Sequence, residues 1–335
     1  MEIGIAYDLR TDFVQARSGP EDALEEYDSP ETVEGIERAL QEAGYATRRL
    51  GGGRAFLAAA LETPGDLVFN IAEGRGTRSR EAHVPAVLEM LGVPCTHSDP
   101  LSLAACLDKA VAKRLVTALG VPTPRFAVVE RKEDLARIDL PFPLFAKPLY
   151  EGSSMGIRRR SRLANARELR ERSMELLEAY REPVLVEEFC PGAEFTVGIL
   201  GTGANARAIG VMDVRPRLVP ESEFVYSLEV KRNERWQEEL EYSVPPKRPE
   251  PLVREVERIA LAAYRALGCR DVARIDLRLG ADGAPRFLEA NPLPGLKPGW
   301  GDLPILADLA GMPYARLITS IVDSARERYG MARDR

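Results

Sequence analysis

Four polar residues in two neighbouring runs near the C-terminal end of the sequence could together hold a metal ion. Arg274 and Asp276 lie in the first run, and Glu289 and Asn291 lie in the second. Both runs alternate apolar and polar residues, and Asp282–Gly283 between them is typical of a two-residue type I′ hairpin turn. With this turn Asp276 faces Glu289 across the two strands. Arg274 then faces Asn291, and the four side chains share one face of the hairpin.

The chemistry of this face favours a hard cation. Two carboxylates and an amide oxygen, with no His or Cys, suit Mg²⁺, which keeps some of its waters and bridges to phosphates. The alternative is an ordinary solvated hairpin face, because charged residues are common on exposed strands. The other face is expected to carry Ile275, Leu277, Phe287 and Leu288. The next run, Asn291–Gly295, ends the strand abruptly and would place backbone N–H groups beside the metal, where they could stabilise an oxyanion.

The composition is that of a soluble enzyme. The chain has 335 residues, 45% hydrophobic and 29% charged, which is enough for a sizeable core and two or three domains. A net charge of −6 gives no overall basic field for nucleic acid. No apolar run approaches a membrane span, and the first residues lack the features of a signal peptide. We therefore expect a cytoplasmic protein with neither nucleic-acid nor membrane partners.

Several residue types are rare in the chain. The four cysteines are far apart, so neither a zinc site nor a disulfide framework is indicated. The only histidines, His83 and His97, are expected to be structural, since no nucleophile or ligand spacing accompanies them. Seven lysines stand against 39 arginines. Each lysine position is therefore informative, because ammonium and guanidinium groups differ in how they bind phosphate.

The predicted elements divide the chain into three domains, 1–98, 99–182 and 183–335. Alternating strands and helices in the first domain predict an α/β sheet. Its predicted elements are strands at 2–6, 46–50 and 66–70, a polar loop at 8–28 and a helix at 30–43 with Ser29 as N-cap. The central domain is predicted to have helices at 101–119 and 163–180 and strands at 126–130 and 144–147. The C-terminal domain is predicted to have strands at 184–189, 194–200 and 208–214, a polar segment at 215–248 outside the core, helices at 251–267, 303–309 and 314–324, and the hairpin.

A flexible loop follows the central strand that ends at Lys147. This loop, Glu151–Gly156, contains glycines and serines whose amides and hydroxyls could close over phosphates. It is not a Walker A loop, because Gly-Lys-Ser/Thr and the following helix are missing. Taken alone, such a sequence is more often a simple turn.

Taken together, the motifs resemble the ATP-grasp superfamily and, in detail, the D-alanine–D-alanine ligases. The resemblance extends from about residue 66 to the C-terminus. The segments that carry it are Leu107–Lys109, Lys147–Pro148, Glu151–Gly156, Gly192–Val197, Arg274–Asp276 and Glu289–Gly295. It implies an α/β protein with the ATP-grasp fold: an N-terminal Rossmann-like α/β domain, a central α+β lid domain and a C-terminal α+β domain.

The resemblance also implies how ATP and metal are bound. The residues implied to hold the phosphates are Lys109 and Lys147, covered by a loop with Glu151, Ser153 and Ser154. Those implied to meet adenine and ribose are Glu187, Glu188, Phe189, Cys190 and Glu194. Those implied to bind two Mg²⁺ ions, with Mn²⁺ as an alternative, are Asp276, Glu289 and Asn291.

The implied reaction is an ATP-dependent ligation of two small amino-acid-like substrates. A carboxylate attacks the γ-phosphate, and the amine of a second molecule captures the acyl phosphate. Lys231 would approach the γ-phosphate on a closing lid. Arg274 and the amide of Gly295 would stabilise the tetrahedral intermediate. Phosphoryl transfer needs positioning and charge neutralisation more than a protein nucleophile, so these parts agree.

The substrate side departs from the ligase pattern. The segment 8–28 replaces a glycine-rich start, and Glu73-Gly74 stands where the family usually has His-Gly. A turn over 296–302 replaces one rich in small hydroxyl residues. The candidate substrate residues are therefore Glu73, Lys297 and Trp300, although Trp300 could instead pack against the following helix.

Three functions remain open on the sequence. The first is the ligase, with D-alanyl-D-alanine as the leading product and a homodimer as a possible assembly. The second is an ATP-grasp phosphotransferase, or a ligase for substrates other than D-alanine. The third is a non-catalytic nucleotide-binding module. Arg274 and Gly295 favour a ligase, because both have a clear role only if a tetrahedral carbon centre forms.

Overall fold

The structure, a computed structural model, describes residues 1–13, 19–76, 78–233 and 235–331. Three sheets follow one another along the chain, with strand orders β2-β1-β3, β4-β7-β5-β6 and β10-β9-β8-β11-β12 in the numbering given below. Of the loop predicted over 8–28, residues 14–18 lie outside the described part. The remainder of that loop includes a short 3₁₀ helix at Arg10–Asp12 and a bridge from Leu9 to Asp28.

The N-terminal region is a parallel sheet with helices packed on it. Its elements are β1 (Glu2–Tyr7), α1 (Pro30–Glu42), β2 (Ala46–Gly51), α2 (Gly53–Glu62), β3 (Leu67–Ile71) and α3 (His83–Leu91). Every residue of β3 is buried, as expected of a parallel strand covered on both faces. Pro30 opens α1 as predicted, but the side chain of Ser29 makes no capping hydrogen bond. The helix α2 was not predicted from the sequence.

The central region is an antiparallel sheet preceded by two helices. Its elements are α4 (Pro100–Leu107), α5 (Lys109–Ala118), β4 (Phe126–Val129), β5 (Leu144–Pro148), β6 (Arg162–Leu163), α6 (Ala166–Tyr180) and β7 (Val184–Glu188). The prediction of one helix over 101–119 is wrong, because Asp108 is extended and caps a new helix. Its carboxylate accepts hydrogen bonds from the N–H groups of Ala110 and Val111. This cap places Lys109 at the start of α5.

The position of β7 bears on the domain boundaries. This strand pairs with both β4 and β5, in the middle of the central sheet. We therefore propose that the central subdomain extends past residue 182. The remaining boundaries stay predictions.

The C-terminal region is a larger antiparallel sheet. Its elements are β8 (Glu194–Leu200), β9 (Arg207–Pro216), α7 (Leu228–Arg232), α8 (Trp236–Glu239), β10 (Leu240–Ser243), α9 (Glu250–Ala266), β11 (Val272–Leu279), β12 (Pro285–Asn291), α10 (Asp302–Leu309) and α11 (Tyr314–Arg328). The apolar stripe of α9 packs on this sheet and forms the main core with it. The helix α11 returns to the N-terminal region and shares a second core with α1 and β1.

The polar segment 215–248 does contribute to a core, contrary to the sequence prediction. Phe224, Val230 and Leu240 are buried against Met212 and Val214 of β9. The few apolar residues of the segment meet one side of the sheet, while its described charged residues are exposed or half-buried. The segment therefore forms a packed layer over the sheet.

The hairpin β11–β12 has the predicted pairs at its functional end but a different turn. Arg274 pairs with Asn291 and Asp276 with Glu289, as predicted, whereas Leu277 pairs with Phe287. The loop is longer than two residues. The N–H of Gly280 donates to the carbonyl of Ala284, and positive φ occurs at Gly283 but not at Asp282. The prediction of a type I′ turn is therefore wrong.

A bulge at Leu288 restores the predicted pairing register at the end of the hairpin that carries Asp276 and Glu289. This residue is the extra one between the shifted pairs, and it lines a cavity instead of the apolar face predicted for it. The functional pairs were therefore predicted correctly from an incorrect turn, because turn and bulge shift the register in opposite directions.

Within the described residues, no single helix is long and apolar enough to cross a membrane. Only α10 and α11 taken together, with a bend of 107° between them, meet the length and composition of a span.

Candidate functional site

Two adjoining cavities lie where the three regions meet. The wide cavity, of about 1100 Å³, is bounded by α7, by the turn after β12 and by residues of the N-terminal region. These last residues, which include Glu26, Asp28, Glu73 and Glu81, are called the N-terminal wall below. The narrow cavity, of about 80 Å³, lies between the central sheet and the hairpin. The residues that line both are Tyr226, Lys231, Arg274, Glu289 and Asp302. The two cavities are therefore parts of one cleft.

The narrow cavity offers flat apolar surfaces and a polar end. Phe145 and Phe189 stack with their ring centroids 6.3 Å apart, and the guanidinium of Arg278 lies 4.7 Å from the Phe189 ring. Glu194 lies 3.5 Å from the same guanidinium. Burial raises the pKa of the Cys190 thiol to about 11, so this residue is no nucleophile. Such a pocket suits a planar base followed by a ribose.

A chain of buried charges runs behind this pocket. Glu187 Oε1 lies 3.2 Å from Lys147 Nζ, and its Oε2 lies 2.7 Å from the Nζ of Lys113. Lys147 also lies 3.5 Å from Glu289 Oε2. Burial would lower the pKa of Lys147, but Glu187 and Glu289 hold it above the usual value. Glu187 therefore positions Lys147, the lysine predicted to bind phosphate, whereas Glu188 at the rim pairs with Arg125 at 2.6 Å.

Lys109 and the glycine–serine loop lie on the other side of Lys147. The Nζ of Lys109 donates to the backbone oxygen of Glu151 at 2.6 Å. Ser153 lines the wide cavity and Ser154 the narrow one, and both have positive φ. The carboxylate of Glu151 instead bonds to Arg80 at 3.1 Å. Any contact between Glu151 and a nucleotide would therefore be made by its backbone and not by its carboxylate.

The hairpin face carries a dense network around Asp276. Its carboxylate accepts hydrogen bonds from Arg274 at 3.0 to 3.2 Å, from Thr196 at 2.9 Å and from the Asn291 amide at 3.0 Å. A second carboxylate, Asp302, accepts a bond from Arg274 at 2.9 Å. Burial opposes the charge of Arg274, but Asp276 and Asp302 raise its pKa above the usual value. This arginine is thus fixed beside the hairpin.

Glu289 is the residue on which the cations of the cleft converge. Burial would raise its pKa, but Lys147, Lys109 and Arg274 lower it to about 2. Lys231 on α7 contributes to this effect, and its Nζ lies 5.1 Å from the ring centroid of Tyr226. Glu289 therefore stays ionised at the junction of the cavities.

The hairpin residues fit a phosphate-bridging Mg²⁺ better than a metal caged by protein alone. No group of three or more His, Cys, Asp or Glu residues in the described ranges is placed to enclose an ion. The register puts two carboxylates and one amide, from Asp276, Glu289 and Asn291, on one face. Mg²⁺ is commonly held by one or two carboxylates plus waters and substrate phosphates.

The turn after β12 borders the wide cavity. Gly295 lines it, and its N–H donates to no protein acceptor in the part of the chain that the structure describes. Trp300 is 43% exposed at the cavity mouth and is not packed in the core. Lys297 lies there too, with its Nζ 3.7 Å from Glu31. An amide free to donate and a partly exposed cation therefore border the same space.

The N-terminal wall contributes a set of acids. Glu73, a predicted substrate residue, lines the wide cavity together with Asp28 and Glu81. Glu26 is bound by Arg80 in a bidentate pair, at 2.9 and 2.7 Å. This side of the cavity is therefore acidic, unlike the phosphate side.

Several residues of the cleft were missed by sequence reasoning. They are Lys113, Tyr226, Tyr242, Arg278, Leu288, Asp302, and Glu26, Arg80 and Glu81 of the N-terminal wall. Lys113 could have been found, because it is one of seven lysines and lies one helical turn after Lys109. The hydrogen bonds that join Tyr226 to Tyr242 and Asp302 have no local sequence signal.

Comparison with known proteins identifies similar chains. Residues 115–323 match the family described as D-ala D-ala ligase C-terminus. A D-alanine–D-alanine ligase of Bordetella petrii is 34% identical over 293 residues, which cover 87% of this chain and 85% of the relative. Uncharacterized protein y4sG of Sinorhizobium fredii is 33% identical over 311 residues, covering 89% and 88% of the two chains.

A solved structure shares the fold. The crystal structure of D-alanine–D-alanine ligase from Bacillus anthracis complexed with ATP matches with a TM-score of 0.72 at 22% identity, covering 99% of this chain and 100% of that chain.

Proposed function

The chain belongs to the D-alanine–D-alanine ligase family, and we propose that it joins two amino acids through an acyl phosphate formed in the cleft described above. It has the ATP-grasp fold and is an ATP-dependent ligase that forms a peptide bond. D-alanyl-D-alanine is the product carried by the names of its relatives, and it is the leading candidate here. The observation that carries the proposal is that Lys109, Lys231 and Arg274 line the same cavity as Glu289, which also lies 3.5 Å from Lys147.

The nucleotide lies in the narrow cavity in this proposal. Adenine packs between the ring of Phe189 and the bulged Leu288, and Glu194 accepts from the ribose. Lys147 and Lys109 bind the phosphates, and the backbone and hydroxyl groups of the loop at Ser153 cover them. Glu187 keeps Lys147 in place, because it is itself held by Lys113.

Asp276, Glu289 and Asn291 would hold Mg²⁺, expected as two ions, with Mn²⁺ as an alternative. The metal would neutralise charge on the phosphates of ATP. The protein contributes a fixed, ionised face, since the low pKa of Glu289 keeps that carboxylate charged at neutral pH. Thr196 and Arg274 orient Asp276.

The ligation then proceeds in two steps. An oxygen of the donor carboxylate attacks the γ-phosphorus, the bond to the bridging oxygen breaks, and ADP leaves. The neutral amine of the acceptor attacks the acyl carbon, and phosphate leaves as the amine nitrogen loses its proton. Arg274 and the free N–H of Gly295 stabilise the oxyanion that exists after the amine attacks and before phosphate leaves. The helix α7 with Lys231 excludes water from the site.

Phosphate release from ATP tests the proposal. Pairs of D- and L-amino acids are screened together and singly, and hydroxylamine replaces the amine acceptor to trap the acyl phosphate as a hydroxamate. Release that needs an amine, from a second amino acid or from another molecule of the donor, supports the ligase, as does hydroxamate formed from the donor and hydroxylamine. Formation of ADP from a carboxylate without release of free phosphate would indicate the phosphotransferase instead, because the phosphoryl group then stays on the product. Cytoplasmic location, a homodimer and the lack of nucleic-acid or membrane partners remain predictions.

A further inference from the structure

The N-terminal wall of the wide cavity holds carboxyl groups that lack cationic partners. Asp28, Glu73 and Glu81 all line the cavity, and none of their side chains forms an ion pair in the described ranges. Glu73 and Glu81 accept no hydrogen bond there either. Glu81 is only 9% exposed, so it is an unpartnered carboxyl that is nine-tenths buried against the cavity.

The cations close to this wall are already engaged. Arg80 binds Glu26 through two hydrogen bonds and reaches the Glu151 carboxylate and the Tyr150 carbonyl, each at 3.1 Å. The Nζ of Lys109 donates to the Glu151 backbone. The wall thus combines five carboxyl groups with two cations, and a third cation, Lys297, acts on Asp28 from the turn after β12. The five are Glu26, Asp28, Glu73, Glu81 and Glu151.

Glu26, Asp28, Glu73 and Glu81 line the same cavity, so their charges repel one another. Burial raises the pKa of Glu73, and the charges of Glu81, Glu26 and Asp28 raise it further. Burial also raises the pKa of Glu81 and of Asp28 to about 7. Ionised acids in such a setting are stabilised when a cation binds between them.

The position of the wall relates it to one substrate. Glu81 is near enough to Lys109 for their charges to interact, so the wall borders the phosphate end of the cleft. The donor carboxylate must react at that end, beside Lys231 and Glu289. The remainder of the donor molecule therefore extends along Glu73 and Glu81.

We propose that the donor substrate is a diamino acid, in place of the D-alanine named for the relatives, and that its second ammonium group is bound between Glu73 and Glu81. The inference rests on the proposed ligase function, since it takes the reacting carboxylate to lie at the phosphates. A monoamino acid brings one ammonium group to a wall whose five carboxyls exceed the three neighbouring cations by two. A diamino acid compensates more of that charge.

Calorimetric binding of matched ligands tests this proposal without requiring turnover. The probes are 2,4-diaminobutyrate and norvaline, which have similar shape and differ in one charge, each as both enantiomers. They are titrated into the full-length protein with Mg²⁺ and a non-hydrolysable ATP analogue. One enantiomer of the diamino acid should bind about tenfold or more tightly than norvaline, as expected for one additional charge-assisted contact. Equal or tighter binding of norvaline would overturn the proposal.

Variants locate the second ammonium group. Glu73→Gln and Glu81→Gln should each weaken binding of the diamino acid about tenfold, while norvaline binding changes by less than about threefold. Glu89→Gln, an exposed change on α3, should alter neither. Both glutamine variants should melt at or above the wild-type temperature without ligand, because each removes an unpaired buried charge. Equal weakening of both ligands, or a lowered melting temperature accompanied by unchanged selectivity, would contradict the assignment.

Phosphate release separates this proposal from the ligase function. Phosphate release that occurs with neutral donors but not with diamino acids would support the ligase function and overturn the proposal of a diamino substrate. Tight binding of the diamino acid with no release for any acceptor would overturn the ligase function and the donor role with it. Release that prefers diaminobutyrate over norvaline in the wild type, and loses this preference in Glu81→Gln, supports both.

Discussion

The nucleotide end of the cleft and its N-terminal wall both bury several carboxylates, but they differ in how the charges are compensated. At the nucleotide end Glu187 lies between two lysines, and Asp276 is held by Arg274. In the wall, Glu73 and Glu81 have no such partners. A paired carboxylate keeps its charge and its position before any ligand arrives, whereas an unpaired one gains most when a cation binds. The nucleotide end is therefore preorganised, and substrate choice falls to the wall.

The strongest test of the preorganised end is the metal face. Asp276→Asn and Glu289→Gln should each lower turnover by about 10²–10³-fold, since each removes a charge that faces the reacting phosphates and keeps the volume. Steady-state rates at saturating Mg²⁺ and ATP measure the effect, and thermal melting shows that the fold is retained. Wild-type rates in either variant would remove these residues from the metal site. The same change at Glu81 should spare turnover of neutral donors.

Two lysines sharpen the contrast within the nucleotide end. Lys109→Ala and Lys147→Ala should each weaken ATP binding by roughly ten- to a hundredfold. Only Lys147→Ala should also lower stability, by about 3–5 kcal/mol, because it leaves Glu187 and Glu289 buried with fewer partners. From the sequence alone Lys147 has no core partner to lose, and the structure gives it two. Calorimetry measures the ATP affinity of the two variants, and chemical denaturation measures their stability. Equal stability losses would show that Lys109 is also a structural residue.

The unpaired wall should give the protein a distinctive pH dependence. The pKa of Glu81 is raised to about 7 in the folded state, where it faces Arg80, Glu26, Lys109 and Glu73. Below the unfolded pKa both states are protonated. Above that pKa the unfolded state loses its proton while the buried folded carboxyl keeps it, so stability falls as pH rises towards 7 and levels off above it. This loss should be about 1–3 kcal/mol without ligand.

Denaturation at pH 5 and pH 8 measures this loss. Glu81→Gln should reduce it without removing it, because the pKa of Asp28 is also raised to about 7 by burial, whereas Glu89→Gln should leave it as in the wild type. A loss of wild-type size in Glu81→Gln would assign the titration to the other acids of the wall.

The smallest effect is expected at the mouth of the cleft. Trp300 is 43% exposed, so Trp300→Ala should cost less than about 1 kcal/mol of stability. If this side chain shapes the acceptor pocket, the ranking of amine acceptors should change while ATP affinity stays near wild type. A competition assay between amine acceptors measures the ranking, and a melting curve measures the stability of the variant. An unchanged ranking would exclude Trp300 from the substrate site, and a large stability loss would indicate unexpected packing.

Much of the cleft was predictable from the sequence because its signals are local. Lys147 at the end of a strand, the glycine–serine loop and the acids of the hairpin each show their chemistry within a few neighbouring residues. The pairing of Asp276 with Glu289 was also predicted, although the turn used to derive it is wrong. Apolar periodicity located most of the helices and strands, since period and burial are linked within a single element.

Other features depended on contacts between distant segments. The sequence could not show that Asp108 divides a helix, since the cap requires a backbone conformation set by its surroundings. Nor could it show that Lys113 meets Glu187, or that the polar segment 215–248 buries Phe224 and Leu240. These contacts join residues from separate elements, and no local pattern encodes which elements meet.

The sequence by itself determined the chemical inventory of this protein: the lysines proposed to bind phosphate, the acids proposed to bind metal, and Glu73. Only the tertiary structure decided which of those charges are paired. Arg80 could have neutralised Glu73 or Glu81, but packing directs it to Glu26 and Glu151. Electrostatic energy depends on distance and burial, and both are fixed by packing and not by the order of residues along the chain.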